Sequence, residues 1–373
     1  MEPLTLSRDV LDWASQRAGM TLEAFAKAIA KRETDQDRIV GGRLTASQAA
    51  KLAKKAKVPF GYLFLQTPPE LVRPSIPDLR QVQGAVPLSD DFYEVLEDVL
   101  GKQEWYADFL NEHGAQPLDF VGRFQRATLR DVPKIVSDIR TTIQGTDRDR
   151  SGSTDADDYF RRLSTKIEAQ GVLVIKTSFV KSATRRGLSE KEFRGFALAH
   201  PTAPFVFVNG RDAETAAVFT LLHELAHIWL GASGVSDVAI TPTHGAERIC
   251  NAVAGEYLVP AVDFRDKWSG PADLERLSRF YRVSRLVIAR RALDMSFVDQ
   301  AFYDEIARTS KVSKRTGAPS GLVTIPGRNS KRFTKTVVSE AMSGNTLLRD
   351  AAALLNVRPD TIVSLAKERK KNA

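Results

Sequence analysis

The chain has 373 residues, with 54 Lys or Arg against 46 Asp or Glu, five His and one Cys; 43% of it is hydrophobic and 27% charged, as in an ordinary globular protein. At roughly 150 residues per domain this suggests two or three domains, long enough to bury a core without disulfides, and the single Cys250 cannot form one internally, which fits a reducing compartment. The N-terminus lacks a basic start followed by an apolar run, and no uninterrupted apolar stretch is long enough to span a bilayer, so the expectation is a cytoplasmic protein with no membrane association.

Residues 1–66 read as all-helical. Val10, Leu11, Ala14 and Ala18, then Leu22, Phe25, Ala26 and Ile29, then Leu44, Ala49, Leu52, Ala53 and Ala56 recur at three- and four-residue steps. Thr21 followed by Glu23 marks a helix start, and VPFGYLFL (58–65) closes the bundle with apolar residues. Prolines at 68, 69, 74, 77 and 87 mark a linker. Ser89 to Glu112 is helical again, and the polar stretch 144–158 reads as an exposed loop leading into the helix YFRRLSTKIEAQG. The period then changes: GVLVIKTS (171–178) and APFVFVN (203–209) are β-branched and aromatic runs bounded by Gly, Pro and Asn, hence strands. Asp212 caps a helix expected from about Ala213 to Leu230, stopped by Gly231, and a second helix runs from about Gly245 to Leu258, ended by Pro260. Residues 272–298 form a helical pair in which VSRL (283–286) is placed like the turn and second-helix start of a helix-turn-helix. Residues 329–370 hold two or three small helices, the last including LRDAAALLNV. These two helix-turn-helix-like stretches are the nearest approach to an internal repeat.

The net charge is +8, yet residues 311–373 alone carry thirteen basic and four acidic residues. The whole excess therefore lies in the last sixth of the chain. Such a segment suits weak, salt-sensitive, non-specific contact with DNA that truncation near Ala318 would remove; the bland alternative is a solvated, solubilising tail.

Two of the five histidines fall in His223-Glu224-Leu225-Ala226-His227. With five His and 19 Glu in the chain, this pattern arises by chance on the order of once in a few hundred such sequences. Val218, Phe219, Leu221, Leu222, Leu225, Ile228, Trp229 and Leu230 make the surrounding helix apolar on nearly every side, so it is expected to be buried. Two imidazoles and a carboxylate buried there without partners would cost several kcal/mol. Positions i and i+4 point the same way, so His223 and His227 can both reach one Zn²⁺, with Glu224 beside them to take a proton from an attacking water. A third ligand must come from another element, and HGAERICNAVAGEYLVP (244–260) offers His244, Glu247 and Glu256. Glu247, Cys250 and Ala254 share one stripe, and the small residues would let the two helices approach closely. His244 is the runner-up, and Cys250 is read as a packing residue rather than a ligand.

ERICNAVAGEYLVP (247–260) resembles the E-x-x-A/C-N-x-x-A-x-x-x-L-x-P signature of the ImmA/IrrE-type metallopeptidases. The section RRGLSEKEFRGFALAHPTAPFVFVNGRDAETAAVFTLLHELAHIWLG (185–231) is similar to the core of the same family. LTASQAAKLAKKAKVPFGYLFL followed by IPDLRQV resembles members with an N-terminal XRE-type helix-turn-helix and an IPDFR-like linker. The resemblance spans about residues 10–300. It implies zinc held by His223, His227 and Glu247 with Glu224 as catalytic base, and cleavage or inactivation of a partner transcriptional repressor. One departure stands out. Where a DNA-reading helix would sit, KRETDQDRIVGG (31–42) places Glu33, Asp35 and Asp37, which repel phosphate, so a helical docking module fits at least as well as a DNA reader.

The fold class expected is α+β: mainly helical, with a zincin-like metallopeptidase core, a small sheet and flanking helix-turn-helix-like modules. The divisions are an XRE-like module at 1–67, a linker at 68–88, the metallopeptidase domain at 89–270, a helix-turn-helix-like segment at 271–310 and a basic helical segment at 311–373. The function expected is a zinc endopeptidase acting on a protein partner, a repressor or antitoxin-like regulator, with a strand such as Phe205–Asn209 pairing with extended substrate. The rival is a DNA-binding or antitoxin-like regulator with a structural or inactive metal site. Glu224 separates the two, because a structural site needs ligands but no base.

Overall fold

The computed structural model describes residues 3–56, 58–69, 74, 76, 87–236, 245–309 and 322–371. The fold is α+β and predominantly helical, with two small sheets, and it divides into two compact units, Met1–Arg73 and Pro74–Ala373. No described helix is long and apolar enough to cross a membrane.

In the smaller unit, α1 (Arg8–Arg17), α2 (Leu22–Ile29), α3 (Glu33–Val40) and α4 (Ala46–Ala56) enclose Val10, Leu11, Phe25, Ile39 and Leu52. The Thr21 hydroxyl accepts from Ala24 N–H and so starts α2, as its place before Glu23 suggests. The all-helical expectation misses a two-residue ladder in which β1 (Leu4–Thr5) pairs antiparallel with β2 (Arg43–Leu44).

The larger unit is built on a four-stranded sheet of order β3-β5-β4-β6, comprising β3 (Leu173–Thr177), β4 (Gly195–Leu198), β5 (Phe205–Asn209) and β6 (Gly234–Ser236). β5 runs parallel to β3, with Leu173 opposite Phe205, and antiparallel to β4, with Gly195 opposite Val208. β4 in turn pairs antiparallel with β6. Successive side chains alternate between the faces. Val174, Val206, Val208 and Ala197 face a core shared with α6 (Val132–Thr142), α8 (Ala156–Ala169), α9 (Glu214–Leu230) and α10 (Gly245–Leu258). Leu173, Ile175, Phe205, Phe207 and Phe196 face a second core shared with α5 (Asp90–Glu112), α16 (Lys331–Ser343), α17 (Leu348–Leu354) and α18 (Pro359–Lys371). Both faces are thus covered, which is why these strands are continuous apolar runs rather than alternating ones. The C-terminal helices help to build the second face.

Two sequence expectations are corrected. Residues 144–158 are not simply a loop: α7 (Asp147–Ser151) forms there, because Thr146 and Asp149 make a reciprocal capping box and buried Asp149 accepts a 2.7 Å bond from Lys166. Phe205–Asn209 is not free to pair with a substrate, since β3 and β4 occupy both of its edges.

The remaining helices are α11 (Ala261–Lys267), α12 (Leu274–Tyr281), α13 (Arg285–Asp294), α14 (Gln300–Thr309) and α15 (Ile325–Asn329). α12 and α13 join the first core through Leu277, Tyr281, Ile288 and Ala292.

Candidate metal centre

α9 starts after a tight corner in which the Asp212 carboxylate accepts from Ala213 N–H at 2.8 Å. It stops at Gly231, whose φ of +65° lies in the left-handed region that glycine adopts without steric cost. Ala232 N–H then reaches back to the His227 carbonyl at 3.0 Å and closes the last turn. Between those ends almost every residue is buried, because the helix has the sheet on one side and α8 and α10 on others. His223, Glu224 and His227 are each 0% exposed.

α10 lies against α9 through Cys250, Val253 and Ala254, and its first turn carries Glu247 into the gap, 1% exposed. The two imidazole Nε2 atoms are 3.2 Å apart. Glu247 Oε2 lies 3.2 Å from His223 Nε2, and Oε1 lies 3.0 Å from His227 Nε2. A tetrahedral zinc holding two nitrogens at about 2.0–2.1 Å separates them by about 3.3 Å. The spacing, and the mix of two nitrogens with one carboxylate, therefore fits zinc. Among the described residues this is the group of His, Cys, Asp and Glu whose ligand atoms converge within 4.8 Å.

The electrostatics fit a cation as well. Burial alone would raise the Glu247 carboxyl, but the charge on His223 and the hydrogen bonds from both rings hold it well below the usual range. Burial likewise opposes charge on His223, yet Glu247 carries its pKa upward, while burial dominates at His227 and lowers it. The carboxylate thus favours positive charge in the gap between the rings. A bound cation would supply that charge. Burial, then the charges of Glu247 and Glu224, push the Cys250 thiol far up, so it stays protonated, as a packing residue should.

Of the other sequence candidates, Glu256 falls away from the cluster. Glu256 pairs with Arg291 at 3.1 Å and accepts from Ala261 N–H at the start of α11. His244 lies outside the described residues.

One site residue is missed by sequence reasoning. Gly195 of β4 lies under Glu224: a Cβ there would be 2.7 Å from Glu224 Oε1 and 2.8 Å from both the Phe207 carbonyl and Thr220 Cγ2. The signal was a glycine inside the aromatic run Phe193 to Phe196, which marks either a bulge or a close approach.

Residues 167–293 match the IrrE N-terminal-like domain. The chain thus carries an IrrE-like peptidase domain spanning the sheet, α9 and α10, with a buried His/His/Glu cluster suited to metal. Residues 329–368, from the end of α15 into α18, match a domain of unknown function (DUF8813). No curated protein and no solved structure matches the chain.

Proposed function

We propose that the protein is a cytoplasmic zinc-dependent endopeptidase that cleaves a protein partner, a transcriptional repressor or antitoxin-like regulator. The carrying observation is the convergence of His223, His227 and Glu247 with Glu224 adjacent on the same buried helix. His223, His227 and Glu247 would hold the zinc. Bound zinc supplies Lewis acidity, polarising a peptide carbonyl and lowering the pKa of water. Glu224 accepts the proton of the attacking water at its carboxylate and later passes it to the leaving nitrogen. Gly195 leaves the space in which that carboxylate sits.

Substrate binding is assigned to β6 rather than β5. Among the described residues β6 pairs only with β4, so its outer edge offers backbone groups to an extended peptide, and it follows α9 directly in the chain. The N-terminal unit is read as a module that docks the partner. Its α3 carries Glu33, Asp35 and Asp37, a poor face for DNA.

The test replaces Glu224 by Gln, which keeps size and removes the base. Incubated with the neighbouring gene product as candidate substrate, the variant should retain about one zinc per chain and a native circular dichroism spectrum while losing cleavage. Cleavage at the wild-type rate would overturn the mechanism.

A further inference from the structure

The C-terminal helices play no part in the metal centre, yet their arrangement is specific. α17 and α18 are joined by residues 355–358, and the turn is built on Asn356 at φ +53°. Val357 N–H donates 2.9 Å to the Ala352 carbonyl, closing α17, and Ala352 is the small residue where the helices meet. Ile362 and Leu365 turn the inner face of α18 onto α16, which lies behind both.

The same device occurs earlier in the chain. Between α12 and α13, Arg282 takes φ +58°, Val283 N–H donates 3.1 Å to the Ser278 carbonyl, and Ile288 is buried as Ile362 is. Helix, short turn through a left-handed residue and second helix make up a helix-turn-helix, whose second helix enters the DNA major groove.

The two copies differ in what their second helices are free to do. α13 is tied inward by Arg291, bonded to Glu256 of α10, and by Ile288, Ala289 and Ala292 in the core that holds the metal helix. α18 buries only one side. Its other side presents Asp360, half-buried Ser364 and exposed Lys367 at helical spacing, and four of its last five residues are basic. Lys331 and Lys335 on α16, Arg349 on α17 and Arg358 in the turn before α18 are exposed as well.

The unit is also held in place. Glu168 accepts from Lys331 N–H at 3.0 Å at the start of α16, and Arg332 donates to the Glu168 carbonyl at 2.9 Å. Asn356 Nδ2 donates 2.8 Å to Asp98 of α5, tying the turn itself to the core. These contacts put the three helices on the sheet face opposite α9, so a bulky ligand there leaves the metal centre clear.

We propose that α16–α18 is a duplex-DNA-binding helix-turn-helix, with α18 as the helix that enters the major groove. The probe is a fluorescently labelled random-sequence duplex titrated with the full chain at about 50 mM salt, where phosphate contacts are strongest. The expected result is binding that weakens steeply with salt. Arg358→Glu and Lys367→Glu, both at exposed positions outside the core, should each cut affinity at least tenfold, with unchanged circular dichroism and zinc content. Arg358→Ala and Lys367→Ala, which are milder if a reversal disturbs folding, should each lower the salt slope by about one phosphate contact. Absence of binding by the full chain at low salt would overturn the proposal. So would undiminished affinity in folded α18 variants, which would place any binding elsewhere, as at the N-terminal unit. Zinc removal should leave this binding intact, so its outcome is separable from that of the peptidase reading.

Discussion

A carboxylate held between two imidazoles, all three shut off from water, is stable only when its charge is answered. Removing one member of such a group leaves the others buried and uncompensated, at a cost of about 3–5 kcal/mol. Glu247→Gln keeps the shape but withdraws the negative charge facing His223 and His227 at 3.2 and 3.0 Å, so zinc affinity should fall by more than about tenfold. His244→Ala should leave it nearly unchanged. A zinc titration that gave the reverse order would move the third ligand to His244. His223→Ala should likewise lose the metal, read by elemental analysis. Gly195 makes a different demand. Gly195→Ala puts a methyl 2.7 Å from the Glu224 carboxylate and 2.8 Å from the Phe207 carbonyl, so either the base or the strand must shift. Since none of the three ligands is among the atoms met, zinc content should be retained while partner cleavage drops at least tenfold, with about 1–3 kcal/mol lost in thermal unfolding. Wild-type cleavage in this variant would show that Glu224 does not need the space.

Elements with strong local signals were legible in the sequence. α9 and α10 run within a residue of where the Asp212 corner, Gly231 and Pro260 suggest, because glycine and proline punctuate the chain whatever the tertiary context. β3 and β5 could be read for a related reason, as short apolar runs covered on both faces. β4 and β6 were missed. β4 holds a glycine whose value lies in tertiary approach, and β6 has only three residues, so its identity comes from pairing with β4. Placing strand addition on Phe205–Asn209 failed on the same point, since nothing local there tells that the strand is central rather than an edge. The end of α9 can be tested directly. Gly231→Ala forces a side chain into φ +65° and sets its Cβ 2.9 Å from the Gly122 Cα, where backbone has little room to yield. The left-handed conformation alone costs about 1–2 kcal/mol, so chemical denaturation should show at least that loss. An unchanged midpoint would mean that the helix ends otherwise.

At the scale of the whole molecule, the division into Met1–Arg73 and Pro74–Ala373 confines the metal's influence. A ligand that binds only the folded state adds stability by mass action, about 4 kcal/mol when present at a thousandfold excess over its dissociation constant. All three candidate ligands lie in the larger unit, two on α9 and one on α10, and those helices join the largest apolar cluster among the described residues. Stripping zinc with a chelator should therefore loosen α9 and α10 first, and next the elements packed on them, α6 and α8. The helices α1 to α4 have a separate core around Leu11, Phe25 and Leu52 and should keep their protection. Hydrogen exchange read peptide by peptide checks this. The expected pattern is faster exchange across Glu214–Leu230 and Gly245–Leu258 on chelation, with Arg8–Ala56 unchanged. Equal loss in both units would mean that the metal stabilises the chain as one cooperative body. No change in either would mean that His223, His227 and Glu247 hold their places without it.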